Sequence, residues 1–401
     1  MWVTFRRVVR RHLGIVIAAV AATAGCRQGT DPVPPAAPLD SVRYQIIDLG
    51  TLGGLLSEAD AINDAEQVAG WSYTDGFTHA RAFLWDSGGM RDYGTLSPSS
   101  TIASTKPVGI NAAAWVAGYS FLNGSQRAVL WQDRTPQDLG TLGGPSAEAV
   151  AINDRGQVVG WSAATGAAAH AFRWDRGAMT DLGTLGGTES RARDVNGTGQ
   201  VAGSSRVDSG TFHAFRWDTG GMRDLGTLGG ASSYGFRINE RGEVAGESET
   251  AAGSTHAFLW SDGVMHDLGV LGGATSSSAV AVNDRGQVAV VSFPGGSFLW
   301  DHGKTTPLPN ALGGTHAIAV DMNDGAQIVG QVDATPGVYR AVLWEDGRMY
   351  DLGTLGGDQS APMAINTRGD VVGWALLATG EQHAVLWRRS AVARRIAARA
   401  P

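Results

Sequence analysis

The chain has 401 residues, a formal net charge of −7, 57 glycines and a single cysteine. One cysteine excludes an intrachain disulfide framework, and the acidic balance argues against a nucleic-acid partner, whose phosphates call for a cationic surface. Glycine stands well above its ordinary share of about 7 %, as a protein built on many tight turns requires.

Residues 1–25 read as a signal peptide. Arg6, Arg7, Arg10 and Arg11 give a positive start, and the apolar run 13–22 is too short to span a bilayer. The paired arginines also raise a twin-arginine export route. Ala24–Gly25–Cys26 then resembles a lipoprotein cleavage site, at which Cys26 becomes the lipidated N-terminus, although Thr23 stands where leucine is usual. That Cys26 is the only cysteine supports the reading. The competing readings are a plain signal peptide with an incidental cysteine and an uncleaved anchor. Removal of residues 1–25 takes four arginines and no acid, shifting the formal charge from −7 to −11. Residues 26–41 then form a lipidated N-terminus and spacer stiffened by Pro32, Pro34, Pro35 and Pro38. The expected location is periplasmic or extracellular, held to a membrane by the lipid.

From 42 to 388 one phrase recurs about every 43 residues. Its cleanest copy is DLGTLGG–PSAEAVAIND–RGQVVGWS–AATGAAAHAFRWDRGAMT, residues 138–180. Eight copies align on Asn63, Asn111, Asn153, Asn196, Asn239, Asn283, Asn323 and Asn366, and each carries a tryptophan closing an apolar run, from Trp85 to Trp387. A repeat of this length suits a four-stranded propeller blade. Within one copy, AVAIN (149–153), QVVGWS (157–162), HAFRW (170–174) and MTDLG (179–183) read as strands. The first two and the last two are joined by DRG-type hairpin turns. A β-solenoid is the rival, but it does not need two hairpins per repeat. The repeat is also out of phase with the chain. A lone fourth-type strand, YQIIDLG (44–50), comes first, and a third-type strand, HAVLW (383–387), comes last. Pairing them completes the last blade and removes the open edges. The expected fold is all-β: an eight-bladed β-propeller of four-stranded blades, monomeric and closed by its first strand.

Two copies diverge. The copy at about 92–138 replaces TLGG with TLSPSS and has Ala112–Ala114 in its turn. The copy at about 267–307 has Val290–Val291 for Gly–Trp, a shortened FPGG loop, and Pro307 for Asp. Drift explains both; so would a partner or groove bordering these blades. The basic tail 389–401 reads either as a solvated end or as an amphipathic segment facing anionic lipid.

With the H-A-F triplets at His170–Phe172, His213–Phe215 and His256–Phe258, the GTLGG blocks and the IND-x-GQVVGWS blocks in view, residues 44–387 resemble the bacterial HAF repeat family. The resemblance implies an extracellular repeat protein and brings no functional residues. Four copies carry a Trp–Asp pair in a layout similar to a WD40 blade, without that family's Gly–His signature.

The repeated polar residues read as structural. The column Arg81, Arg127, His170, His213, His256, Gly296, Arg340 and His383 accepts arginine and so cannot be a shared zinc ring; it is expected to cap a blade edge. The aspartates of D-L-G are expected to accept hydrogen bonds from the following loop amides. N-D-x-G lacks the ligand spacing of a calcium loop, no quinone-propeller tryptophan motif is found, and no hydrolase, zinc-protease or phosphate-loop motif appears. No cofactor and no metal are therefore expected. Variation concentrates five positions before each asparagine: Glu58, Lys106, Glu148, Arg191, Tyr234, Ser278, Ile318 and Ala361, with His316 at the same rim. Glu58, Glu148, Arg191, Tyr234 and His316 are the candidate ligand-binding residues, the alternative being a solvated rim. The expected function is a non-catalytic envelope lipoprotein binding a protein or glycan. A hydrolase or lyase acting on an envelope polysaccharide through Glu58, Glu148 and His316 is the second reading.

Overall fold

The computed structural model describes residues 44–390, apart from 78, 98–103, 167 and 209. The expected signal peptide, Cys26, the proline-rich segment and the tail beyond residue 390 lie outside the described residues. The regular structure within them is entirely strand, arranged as eight four-stranded antiparallel sheets around a ring. Blades 1 to 7 occupy 57–92, 105–138, 143–181, 186–224, 229–269, 276–307 and 317–351. Blade 8 takes three strands from 356–389 and its outer strand from Tyr44–Gly50. The expected eight-bladed propeller and its closure are both present. Ile46 faces Trp387 and Asp48 faces Val385 in the closing ladder, and the last strand runs on through Arg389.

The core is a set of seams between neighbouring blades. Val68, Phe83 and Ala59 of blade 1 pack with Val372, Leu386 and Leu49 of blade 8; Leu130 and Ala117 of blade 2 pack with Val158 and Phe172 of blade 3. The phenylalanine of each H-A-F triplet is fully buried: Phe172, Phe215 and Phe258. Such a ring gains stability only when every seam has both sides, so the closing strand counts for as much as an interior one.

The asparagines that align the repeat turn out to run around the ring. Asn153 Oδ1 accepts the amides of Arg155 and Gln157, which shapes the inner hairpin. Its Nδ2 donates to the Asn196 carbonyl of the next blade at 2.8 Å. The same inter-blade bond recurs at seven of the eight seams, the last running from Asn366 back to the Asn63 carbonyl. Only the seam from blade 6 to blade 7 lacks it; that seam keeps the neighbouring bond from the Asp284 amide to Asp324 Oδ1, of a kind that other seams also make. A serine at the start of the inner strand supplies a second belt. Ser190 Oγ accepts the Ala171 amide of the preceding blade, and Ser57 Oγ accepts that of Ala384 across the closing seam. Between blades 6 and 7 the two residue types are exchanged. Ser297 occupies the alanine position, Ala317 the serine position, and Ser297 Oγ donates to the Ala317 carbonyl at 2.8 Å. The same hydroxyl accepts the buried Ala319 amide at 2.9 Å, so the exchange leaves a carbonyl and an amide satisfied.

Hairpin geometry explains the D-x-G consensus, because the third turn residue is left-handed: Gly156 has φ 76° and Gly199 φ 89°. In blade 2 this place falls to Ala114 at φ 60°, yet the turn closes, with the Ala114 amide donating to the Asn111 carbonyl. A left-handed alanine costs roughly 1 kcal/mol that glycine avoids. Ala114→Gly is therefore expected to raise the urea midpoint by a gain of about 0.5–1 kcal/mol. A loss on this substitution would contradict the strained turn.

Candidate functional site

The histidine-or-arginine column and the D-L-G aspartates, read separately in the sequence, meet in the fold. His170 Nδ1 lies 2.8 Å from Asp181 Oδ2, and His213, His256 and His383 contact Asp224, Asp267 and Asp48 in the same way. Arg81, Arg127 and Arg340 pair with Asp92, Asp138 and Asp351. Each aspartate also accepts the amide two residues on, as Asp181 does from Gly183. Both partners are missing together in blade 6, where Gly296 and Pro307 stand. This is a blade-edge clamp, as the capping reading anticipated, and it leaves these histidines engaged. Among the described residues no group of three or more His, Cys, Asp or Glu is arranged to hold a metal.

The variable column five before each asparagine does not form an open rim. Its side chains lean on the preceding blade. Lys106 lies 5.8 Å from the Trp71 ring centre, Arg191 sits 5.1 Å from that of Trp161, and Tyr234 packs at 5.7 Å against Phe212. Glu148 receives a hydrogen bond of 2.8 Å from Gln126. Arg191 pairs with Glu189. Glu58, Ser278 and Ala361 are buried. His316 is exposed and held by Asp333, whose carboxylate takes its amide at 2.6 Å and its ring at 3.1 Å. Although burial alone would raise it, the His316 and Thr315 hydrogen bonds bring Asp333 below the usual carboxylate range. The candidate residues are thus distributed over separate seams: Glu58 with blade 2, Glu148 with blade 2 from the other side, Arg191 and Tyr234 with blades 3 and 4, and His316 within blade 7.

The densest polar group joins Glu58 to two residues outside the candidate set. Lys106 Nζ lies 3.4 Å from Glu58 Oε1 and 2.9 Å from Asp60 Oδ1. Asp60 is 7 % exposed, and neither of its carboxyl oxygens has a hydrogen bond of good alignment. Burial, only partly offset by Lys106, pushes its pKa up to about 7. The two acids in turn outweigh burial at Lys106 and raise its pKa. Asp60 escaped the sequence reading because it occupies the bulge between Ala59 and Ala61, where the register shifts and breaks strict alternation.

Beside this group, blade 1 presents aromatic surface. Trp71 and Tyr73 meet edge-on at 5.6 Å, and Tyr73 and Phe77 at 5.5 Å. Phe77 is 61 % exposed and Leu55, tied to the same loop through the Gly76 carbonyl, is 44 % exposed. The outer-to-inner and second-to-third loops of a propeller share one face, so this patch lies at the loop-bearing face next to Glu58 and Lys106.

Deeper carboxylates carry a measurable pH signature. Glu247 on the second strand of blade 5 is raised to about 7, chiefly by burial, against the opposing pull of the nearby Ser278 hydroxyl and Arg193. Its folded pKa exceeds the unfolded one, so the folded state binds more protons between about pH 4.5 and 7, and stability falls as pH rises through that window. Glu247→Gln removes this dependence. The variant is expected to gain on the order of 2–3 kcal/mol relative to the parent between pH 4 and pH 8. Urea midpoints at both values measure it, and a pH-independent difference would refute the assignment.

No family model matches the chain, and no curated protein does. Its likeness is to solved structures. A dipeptidyl peptidase 4 from Porphyromonas gingivalis aligns with TM-score 0.53 and 11 % identity, over 92 % of this chain and 63 % of that one. A puromycin-hydrolysing peptidase of Mycobacterium tuberculosis aligns with TM-score 0.50 and 13 % identity, over 88 % of this chain and 61 % of that one. This chain thus spans about three fifths of the length of these two. At such identity the likeness establishes the propeller and nothing of its chemistry.

Proposed function

We propose that the chain is a non-catalytic binding propeller of the cell envelope, tethered through a lipidated Cys26, which takes a protein or glycan partner on the loop face of blade 1. The observation that carries this reading is the exposed Phe77–Leu55 surface, backed by Tyr73 and Trp71 and bordered by Lys106 and Glu58. Aromatic anchors beside charged groups are the usual energetic centre of a binding surface. The clamps and belts around the ring supply the rigidity that lowers the entropic cost of such binding. The resemblance to HAF repeats agrees with an exported location.

The test compares the purified ring with a Leu55→Ser/Phe77→Ala variant for retention of envelope protein and polysaccharide fractions, with Val264→Ser as the control. Val264 is 55 % exposed and opens the outer strand of blade 5 on the opposite face. The double variant is expected to lose about tenfold or more in affinity, as removal of a hot spot does, while Val264→Ser binds as the parent. Equal binding by all three would end the assignment of this face. The anchor is tested separately: Cys26→Ala should release the protein from the membrane fraction and change its migration.

One observation favours the second reading, a hydrolase or lyase. Asp60 keeps its proton to about 7 beside Glu58, the kind of unequal carboxyl pair that acid–base chemistry uses. Against it, Glu58 is 3 % exposed and both acids are held by Lys106. Envelope polysaccharide turnover that persists in Glu58→Gln and Asp60→Asn variants would remove it.

A further inference from the structure

On the face opposite the aromatic patch, between blades 4 and 5, lies a cleft of about 470 Å³ into which three arginines converge: Arg216, Arg223 and Arg241. Arg216 and Arg223 face each other across the outer hairpin of blade 4, Arg241 comes from the inner hairpin turn of blade 5, and no other seam combines them. Most blades have leucine at the position of Arg216, and at the position of Arg223 only blade 1 also has arginine, as Arg91, which is neutralised by Asp86. Arg216 and Arg223 each place a guanidinium carbon 4.9 Å from the ring centre of Trp260. The indole is 4 % exposed and forms an apolar wall that orients both planar cations.

Two of the three cations have an acid beside them, and Arg223 has none within ion-pair distance. Arg216 reaches Asp218 only at 3.5 Å and the Gly242 carbonyl only at 3.4 Å, and its Nε is buried without a partner. Arg223 is exposed and has no carboxylate within ion-pair distance among the described residues. Arg241 is paired with Glu243, and Asp262 forms no ion pair with the three. The sequence shows why. Four copies follow the blade tryptophan with aspartate, but Trp260 is followed by Ser261. The acid that would sit at this corner has been replaced by a hydroxyl.

We infer that this cleft is an anion site, built to hold a phosphate or sulfate group carried by a ligand. Guanidinium forks match the oxygens of a tetrahedral oxyanion, the cavity is of the size that small ligands occupy, and Ser261 adds a hydroxyl donor without charge. On a chain whose formal charge is negative, an unpaired Arg223 facing a loosely paired Arg216 is the local exception. It selects for an anion rather than following from general basicity. The site is independent of the partner face proposed above, because it lies at the hairpin ends of the inner and outer strand pairs, on the other side of the ring.

The test is calorimetric titration of the intact protein with inorganic phosphate, inorganic sulfate, a sugar phosphate and vesicles containing phosphatidylglycerol. The first three arms report a free or glycan-borne anion, and the last a lipid headgroup. Saturable binding that weakens with added sodium chloride is expected in at least one arm. Arg223→Gln should weaken it by about tenfold, the worth of one charge-assisted contact. Ser261→Asp should abolish it while leaving every arginine in place. Arg91→Gln, at the equivalent place in blade 1, should leave it unchanged. Absence of saturable binding in all four arms overturns the inference. So does an equal loss in Arg223→Gln and Arg91→Gln, which would show a nonspecific response to charge.

Discussion

Asn153→Ala is expected to lose about 3–5 kcal/mol of stability, more than most single substitutions, because it strands several buried groups at once. Asn153 is 6 % exposed. Its Oδ1 accepts two amides of the hairpin, and its Nδ2 donates to Gln157 Oε1 and to the Asn196 carbonyl of the next blade. Alanine leaves all of these without that partner, and three of the four bonds are buried. The matching substitution at Asn283 gives the contrast. Asn283 makes the same hairpin bonds to Arg285 and Gln287 but no bond to the next blade's asparagine carbonyl. Asn283→Ala should therefore cost about 1 kcal/mol less, the net value of one hydrogen bond. Chemical unfolding of both variants measures the difference. Equal losses would show that the asparagine acts only within its own turn and that the belt carries no energy.

The second large effect is removal of the closing strand. A protein lacking residues 44–50 exposes the length of the last strand and uncovers the seam where Leu49 packs with Val372, Leu386 and Phe83. Ile46 and Tyr44 leave the adjoining seam between blades 7 and 8. With Ile47, also packed on the first of these seams, that is one buried and three partly buried large apolar side chains, worth on the order of 5 kcal/mol, comparable with the whole stability of many domains. The shortened protein is expected to aggregate or to unfold at much lower denaturant. A peptide of residues 42–51 supplied in trans should restore the transition by adding a strand to the open edge. An unchanged midpoint in the shortened protein would mean that the ring does not depend on the closure.

Much of this architecture is legible in the residues, because a propeller repeats both its spacing and its turn chemistry. The Asn alignment, the tryptophan endings and the orphan strand at 44–50 are enough to count blades and to place the closure. What the repeat hides is the direction of its side-chain bonds. Asn153, His170 and Ser190 each recur, but whether a recurring residue bonds within its blade or to the next depends on the pleat and on blade-to-blade approach, which spacing does not encode. The paired loss at Gly296 and Pro307 and the exchange at Ser297 and Ala317 were visible as departures. Only the fold shows that each joins two departures in one contact. The asymmetric groups were harder still. Asp60 sits on a bulge, Glu247 lies on a second strand outside the variable column, and Arg241 comes from the next blade to meet Arg216 and Arg223, which face each other on one hairpin. Glu58 was found because it stands in a variable column, while its partner Asp60 was not.

The ring closure is the claim on which the faces, the seams and the cleft all depend, and a cysteine pair tests it directly. Gln45 and Arg388 face each other in the closing ladder, and Cys26 is the only native thiol. In a Cys26→Ala background, Gln45→Cys with Arg388→Cys should join rapidly under mild oxidation, giving an intramolecular disulfide identified by peptide mapping, with the protein still monomeric. Two thiols that stay free while the protein remains folded, or that link only between molecules, would contradict the closed ring.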